Sequence, residues 1–287
     1  MMEFFTALVS KPFVQKTVIA GVLSSIACGV TGTFVVIKRI AFISGGIAHA
    51  VMGGLGIALF LGWNPLIGAL IFAVLSAALI TLFKFRFSQN LDTLVGALWA
   101  IGMAIGVIFI ALTPGIKKDL SSYLFGNILL VNTESLIILA VLDFILLLLV
   151  LIFYRQFLYL SFDEEFAKVR GIPVTRMTLL LLTMVSVSVV ILIQTVGIIL
   201  VIALLTLPSA TAGLFSKSTG RMIVLSTLIC LFVLFFGYWS SFSIQNLPTG
   251  PVTILVAAVI YILALVGHRI YTRKKSGIAP GKKPASD

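Results

Sequence analysis

Two ionisable side chains lie deep within long apolar runs of this sequence. His49 follows Arg39 by ten residues, which is about 15 Å along a helix, and Asp143 lies midway between Glu134 and Arg155. Both positions correspond to the middle of a lipid bilayer, where charged groups are costly and often functional. A neutral imidazole is a good ligand for Zn, Mn and Fe, and a carboxylate can add a second ligand. The alternative is that each side chain only hydrogen-bonds a neighbouring helix.

Small residues surround His49. Gly45, His49, Gly53 and Gly56 share one helix face by their spacing. Such a face is typical of close helix packing, but bare backbone beside an imidazole also suits a narrow path for a cation. We therefore predict that Gly45 and Gly53 line a pathway that contains His49.

Polar and helix-breaking residues interrupt the apolar sequence again further along. Gln194 is followed closely by Gly197, and Pro208 lies within the next apolar run. Broken helices at membrane depth often line a transport pathway, although an ordinary kink produces the same pattern. The sequence predicts that Gln194 and Pro208 line the pathway.

One charged segment, at residues 155–176, separates two apolar runs. Its acids come first and its bases last, which suits the dipole of a helix, and Gly-Ile-Pro at 171–173 supplies a stop signal. The charged residues at its centre are Asp163, Glu164, Glu165, Lys168 and Arg170. We predict a short amphipathic helix of about two turns that a soluble partner contacts.

The composition is that of an integral membrane protein. Of the 287 residues, 60% are hydrophobic and 10% are charged, against roughly 25% charged residues in soluble domains. The apolar runs have the length of transmembrane helices and lack the alternation of barrel strands. We predict an all-α, polytopic transmembrane helical bundle of eight or nine spans. The candidate spans are residues 13–37, 44–61, 65–83, 92–113, 134–154, 174–195, 197–214, 221–240 and 251–270.

The basic residues predict the orientation of the chain. If segment 155–176 is cytoplasmic, most of the 20 lysines and arginines fall on the cytoplasmic side, and the reverse orientation inverts that distribution. The C-terminus is then cytoplasmic, and a membrane domain of residues 1–273 precedes a disordered basic tail at 274–287. The net charge of +11 is explained by these segments and by contact with acidic lipid, without nucleic acid. Cys28 and Cys230 lie within apolar runs, which predicts buried thiols and no disulfide.

Sequence patterns for covalent chemistry do not occur. The chain has no HExxH, no GxSxG and no paired acids at catalytic spacing. We therefore expect a transport subunit that binds no cofactor.

Six stretches of the chain, taken in order, carry a family pattern. They are Gly32–Arg39, Ile43–Ala50, Asp92–Gly96, Tyr123–Leu129, Phe162–Ala167, and Gln194–Gly197 continued by Pro208–Ala212. With these stretches the chain resembles the permease subunit of the manganese, zinc and iron class of ATP-binding-cassette (ABC) importers, the ABC-3 group.

The resemblance implies a type II importer permease in a prokaryotic plasma membrane. It implies a homodimer, two separate cytoplasmic ATPase subunits and an extracytoplasmic metal-binding protein that delivers a divalent ion, Mn, Zn or Fe. It also implies that residues 161–173 contain the coupling helix that docks on the ATPase. The residues assigned to that contact are Asp163, Glu164, Glu165, Ala167 and Gly171.

One position departs from the family pattern. Many members of the family carry Asp-x-x-x-His in the second span, and here the histidine is His49 while the aspartate position is Gly45. We therefore expect His49, supplemented by Asp143 at similar depth, to supply the metal ligands.

Two other functions fit part of the pattern. An ion-coupled secondary transporter would use His49 and Asp143 as proton sites, but no clear inverted repeat is visible and the charged segment would have no role. An ABC permease for a larger cargo, such as an iron chelate or a cobalamin, would have a wider pathway and would need no histidine.

Overall fold

The computed structural model describes residues 12–87, 90–114, 133–243 and 248–275. The regular structure in those ranges is α-helical. The helices are α1 (Pro12–Ile37), α2 (Ala41–Phe60), α3 (Pro65–Arg86), α4 (Leu91–Leu112), α5 (Thr133–Phe162), α6 (Glu164–Val169), α7 (Val174–Val196), α8 (Ile198–Phe215), α9 (Thr219–Ser243) and α10 (Thr249–Lys275).

Nine of the described helices are long and apolar enough to cross a membrane, and α6, with six residues, is the exception. Helices are expected there because a backbone in hydrocarbon must satisfy its polar groups within the segment. The predicted all-α bundle is confirmed, and each of these nine helices corresponds to one predicted span. The predicted disordered tail began at residue 274, but Lys274 and Lys275 belong to the end of α10. The rest of that tail, residues 276–287, and the stretch 123–129 lie outside the described residues.

Asparagine caps explain where two of the helices begin. Asn64 Oδ1 accepts a hydrogen bond from Leu66 N at 2.9 Å, and Pro65 occupies the first position of α3. Asn90 Oδ1 accepts from Asp92 N at 3.1 Å at the start of α4.

A three-residue turn, Lys38–Ile40, joins α1 to α2. Ile40 N donates to Val35 O at 3.0 Å and Arg39 N donates to Val36 O at 3.2 Å, which is a Schellman-type helix ending. Arg39 adopts the left-handed conformation, with φ of 56°, that glycine usually occupies. Because the turn is short and hydrogen-bonded, the position of Lys38 is tied closely to the start of α2.

Helix α5 is longer than the sequence predicted. The predicted span ended at residue 154, but the helix continues to Phe162, with non-helical backbone angles at Phe153 (φ −103°, ψ 15°). Phe157 and Leu160 are buried, and the Phe157 ring meets the Phe34 ring edge-on, with 5.7 Å between centroids. Packing against α1 explains this extension, which hydropathy does not signal because Arg155 interrupts the apolar run.

Helices α2, α3 and α4 pack backbone to backbone, and we call this unit the glycine block. The facing residues are Gly53 with Gly102, Gly56 with Gly106, and Gly54 with Gly68. A Cβ added at Gly56 would lie 2.6 Å from the carbonyl oxygen of Gly106, closer than a side chain tolerates. Small residues permit this close approach and the dispersion contacts that come with it, so the three helices form one tightly packed unit.

The most deeply buried of the described membrane-spanning helices are α1, α2 and α7. Helix α8 packs on α1, α9 and α10, and the hydroxyls of Ser209 and Ser226 form a 2.6 Å hydrogen bond between α8 and α9. Cys28 and Cys230 are buried free thiols, which confirms that prediction. Helices α4, α5 and α10 carry mostly exposed apolar side chains, as expected for surfaces that face lipid.

Candidate functional site

His49 projects from α2 and stacks on Trp99 of α4. The two rings are nearly parallel, with an interplanar angle of 3° and 4.2 Å between centroids. The imidazole is partly buried, and its Nδ1 atom is buried without a hydrogen-bond partner in the described structure. Stacking therefore fixes the plane of the ring, and the Nδ1 atom is left without a hydrogen-bond partner among the described residues.

The stack belongs to a seam between α2 and α4 that runs toward the charged segment. Phe42 lies seven residues before His49, on the same face of α2, and its ring is 6.5 Å from that of Trp99. Asp92 lies seven residues before Trp99 on α4. Phe42 and Asp92 both line a cavity of about 270 Å³ at the end of this seam.

Asp143 occupies a different part of the bundle. Its side chain is 2% exposed, and neither carboxylate oxygen has a hydrogen-bond partner in the described structure. It lies on α5, which packs on α1 and α7, whereas His49 contacts α4. Within one chain the structure therefore does not join Asp143 to His49, and the described residues contain no group of three His, Cys, Asp or Glu that could hold a metal.

The glycines predicted to line a pathway face different neighbours. A Cβ at Gly45 would lie 3.3 Å from the Cδ1 atom of Ile202 on α8, whereas a Cβ at Gly53 would lie 3.1 Å from Gly102 O on α4. Gly53 thus lies at a helix contact within the glycine block, and Gly45 faces the end of a flexible side chain.

The predicted helix break lies at Gly197, whose φ of 83° separates α7 from α8. Gln194 lies in the last turn of α7, and its side chain is outside the described structure. Pro208 is buried inside α8, where it cannot donate a hydrogen bond to Leu204 O. The break in the helix is as expected, and the lining of a pathway by Gln194 and Pro208 stays a prediction.

Helix α6 has the ends that its sequence predicts. Asp163 Oδ1 accepts hydrogen bonds from Glu165 N at 2.9 Å and Phe166 N at 3.0 Å, which caps the N-terminus. At the other end Gly171 N donates to Lys168 O at 3.0 Å. Gly171 has φ of 76°, so its role is that of the glycine in a Schellman ending.

One face of α6 is open and partly apolar. Val169 is 86% exposed and Phe166 is also exposed, as is Phe162 at the adjoining end of α5, among the charged side chains of the segment. Apolar side chains exposed beyond the ends of membrane-spanning helices are typical of a protein contact. Ala167 is fully buried and packs α6 against the rest of the chain, so it does not belong to the open face.

Glu164 is bound by two lysines from distant parts of the chain. Its Oε1 atom accepts hydrogen bonds from Lys38 Nζ at 2.7 Å and from Lys84 Nζ. Lys38 Nζ also donates to Leu160 O at 2.8 Å, at the end of α5. We call this arrangement the lysine clasp.

The lysine clasp contains two positive charges, on Lys38 and Lys84, and one negative charge, on Glu164. Burial alone would raise the pKa of Glu164, but hydrogen bonds and charge from Lys38 and Lys84 bring that pKa below its usual value. Burial lowers the pKa of Lys38, the Glu164 carboxylate opposes that shift, and the charge of Lys84 adds to it. With two ammonium groups around it, the Glu164 carboxylate is stabilised in its charged form.

Sequence comparison assigns the chain to a family. The sequence matches the ABC 3 transport family over residues 10–268. The chain belongs to this family. The family resemblance predicted from the sequence is therefore confirmed.

Similar proteins span nearly the whole of this ABC 3 family chain. A membrane protein of Synechocystis sp., slr2045, is 39% identical over 269 residues, which cover 94% of this chain and 95% of that protein. The manganese transport system membrane protein MntC of Listeria monocytogenes is 34% identical, over 92% of this chain and 94% of its own length. A chain in the solved structure of PsaBC from Streptococcus pneumoniae in complex with Fab is 32% identical, with a TM-score of 0.83 and coverage of 92% of this chain and 95% of that chain.

Sequence reasoning missed three residues that the structure places beside predicted ones. Trp99 is the stacking partner of His49, and Lys38 and Lys84 are the partners of Glu164. In the sequence, both lysines contributed to the prediction of orientation, and Lys38 also lies in the family stretch Gly32–Arg39. A single Trp within an apolar helix gives no sign of its neighbour, whereas lysines at the ends of spans are a recognisable source of partners for an acidic helix.

Proposed function

We propose that this ABC 3 family chain is the membrane permease subunit of an importer that moves a divalent transition-metal ion into the cytoplasm. The observation that carries the proposal is His49, a stacked imidazole with an unpartnered Nδ1 near mid-depth of an apolar helix. Imidazole suits Mn, Zn and Fe, and the relative named MntC is described as part of a manganese transport system. Manganese is therefore the first ion to test.

The proposed metal site is sparse and suits passage more than storage. One imidazole per chain holds a divalent ion weakly, so a second permease copy would bring a second His49 to the path. Asp143 would bind the ion only after the ion has left the seam between α2 and α4, because the structure separates Asp143 from His49. High affinity would then belong to an extracytoplasmic metal-binding protein.

The open face of α6 supports two cytoplasmic ATPase subunits as partners, one for each permease copy. Its exposed apolar side chains at Phe166 and Val169, together with Phe162 at the end of α5, would enter a groove on the ATPase, with Asp163 and Glu165 beside them. ATP hydrolysis would take place on those subunits, and this chain would supply the path. We place the complex in a prokaryotic plasma membrane with α6 and the C-terminus cytoplasmic, in contact with membrane lipid.

Reconstitution in vesicles tests the proposed function. The permease, its ATPase subunit and its metal-binding protein in lipid vesicles should accumulate radioactive Mn²⁺ only with hydrolysable ATP. A secondary transporter would instead accumulate Mn²⁺ with a proton gradient and without ATP. A permease for chelates would accumulate Mn²⁺ only as a complex with an organic chelator. Either of these results would contradict the proposal.

Docking on α6 is tested by one exposed position. Val169→Asp should reduce capture of the ATPase by about tenfold or more, because it places a charge at the centre of an apolar contact. The matched control is Ser218→Asp, which adds the same charge at an exposed position between α8 and α9. Equal capture by both variants would remove α6 from the ATPase interface.

A further inference from the structure

The lysine clasp connects three segments that are far apart in sequence. Glu164, the first residue of α6, contacts Lys38 in the α1–α2 turn, 126 residues away, and Lys84 in the last turn of α3, 80 residues away. Lys38 is almost fully enclosed, with its side chain 8% exposed, and it also holds the end of α5 through Leu160 O. A single carboxylate therefore joins α6 to two other parts of the chain.

Both lysines belong to, or adjoin, the glycine block. The α1–α2 turn leads directly into α2, where Ser44 N already donates to Ile40 O at 3.0 Å, and Lys84 lies on α3. His49 lies eight residues into α2, about 12 Å along the helix from its start. Because α2, α3 and α4 touch backbone to backbone, a displacement of Lys38 and Lys84 would shift the His49–Trp99 stack with them.

Open space lies next to the clasp. Lys38, Lys84 and Glu164 line the cavity of about 270 Å³ together with Asp92 of α4 and Thr178 of α7. The Thr178 hydroxyl is buried without a hydrogen-bond partner in the described structure. The cavity gives α6 and the glycine block room to move relative to α7, and a packed core at this position would not.

We propose that Glu164 is a positioning residue that transmits displacement of α6 to the glycine block and so to His49. The inference rests on the proposed docking of an ATPase on α6. Among the acids of the segment, Glu164 faces inward onto the two lysines, whereas Asp163 caps the helix and Glu165 is exposed. The contact of Glu164 with the two lysines can transmit a displacement only if the structure on each side of it is rigid. The capped helix α6 is the rigid unit on one side, and the glycine block is the rigid unit on the other.

The test compares variants that remove the link with matched variants elsewhere. Glu164→Gln and Lys84→Met remove charge from the clasp, and Glu134→Gln and Lys217→Met make the same changes at exposed positions outside it. With the full transporter in vesicles, the clasp variants should bind the ATPase and hydrolyse ATP, while Mn²⁺ uptake per ATP hydrolysed falls by about tenfold. The two control variants should retain the parental ratio.

A second readout does not depend on the transported cargo. A cysteine at Phe42, an exposed residue of α2, should change its rate of labelling by a maleimide when ATP is added to the parental complex. The native cysteines are buried and contribute little background. In Glu164→Gln the ATP-dependent change should be lost, and this result tests the link even if the cargo is not a metal.

A covalent link should replace the electrostatic one. Glu164→Cys combined with Lys84→Cys should be uncoupled, and a short bifunctional thiol reagent should restore Mn²⁺ uptake per ATP hydrolysed. A role in folding alone would lower ATPase capture in the clasp variants and would not respond to the cross-link. Normal uptake per ATP and a normal labelling change in Glu164→Gln and Lys84→Met would overturn the proposal.

Discussion

At the scale of single residues, the environment of Gly45 predicts the effect of restoring the aspartate that many family members carry at this position. The atom nearest to a Cβ at this position is Ile202 Cδ1, at 3.3 Å, so a small side chain needs only a slight shift of a flexible neighbour. Gly45→Asp should insert into the membrane and place a carboxylate one helical turn from His49.

The added ligand should favour Mn²⁺ over Zn²⁺, because a carboxylate oxygen is a harder ligand than imidazole. We expect the Mn²⁺ concentration for half-maximal uptake to fall by about tenfold, since even outer-shell partners change metal affinity by that much. Gly45→Ala is the control for the added Cβ. Identical ion competition in the two variants would show that this face of α2 does not contact the ion.

Single residues were predictable from sequence when depth and helix signals determine their role. Spacing from Arg39 placed His49 at mid-depth, and the acids and Gly171 of segment 155–176 predicted both ends of α6. The contacts of these residues were not predictable, because Trp99 and Lys84 reach them from helices whose neighbours are set by packing. Likewise, depth alone could not show that Asp143 and His49 lie in different parts of the bundle.

At the scale of helices, the glycine block predicts unequal effects of the same substitution. Gly56→Ala would place a Cβ 2.6 Å from Gly106 O, whereas at Gly96 on α4 nothing lies within 4 Å of an added Cβ. Gly56→Ala should lower the free energy of unfolding by about 1–3 kcal/mol through overpacking. Gly96→Ala should leave it unchanged or raise it by up to about 1 kcal/mol, because alanine favours the helix.

Thermal unfolding of the purified protein in detergent measures both changes. Equal melting temperatures for the two variants would mean that α2 and α4 do not pack through their glycines.

The lysine clasp predicts how stability depends on pH. The pKa of Glu164 in the folded protein is below its usual value, so the clasp contributes its full stability above the ordinary glutamate pKa of about 4.3. That contribution is lost as pH falls further, through the lowered pKa of the folded state. The other charged groups that line the same cavity are Lys38, Lys84, Arg39 and Asp92.

The melting temperature of the parental protein should therefore exceed that of Glu164→Gln by a constant amount from pH 8 to pH 5. The difference should shrink below about pH 4.3. A difference that disappears between pH 7 and pH 6 would assign the stabilisation to another group.

The helices themselves were largely readable from the sequence. Long apolar runs bounded by Asn-Pro, Gly or lysine determine most helix ends, as at Asn64 and Gly197. The exception, the extension of α5 to Phe162, depends on the burial of Phe157 against Phe34, which is a tertiary contact and leaves no local signal.

At the scale of the whole molecule, the distribution of basic residues predicts which ends of the helices face the cytoplasm. Cysteines at Val169 and Lys217 should be protected from an impermeant maleimide in intact cells, and a cysteine at Trp63, in the α2–α3 turn, should be labelled. All three positions are exposed in the structure, so a lack of labelling reports the membrane and not burial. The reverse pattern would place α6 outside the cell and exclude an ATPase from it.

The most direct measurement compares the chain's two histidines. His49 stacks on Trp99 within the α2–α4 seam, whereas His268 packs edge-on against Phe215 near the end of α10, with 5.7 Å between the ring centroids. In reconstituted vesicles, His49→Ala should reduce ATP-dependent Mn²⁺ uptake by at least about tenfold, while insertion and ATPase capture stay at the parental level. His268→Ala should transport Mn²⁺ at the parental rate. Parental uptake by His49→Ala would show that His49 only packs against Trp99 and that the ion takes another path.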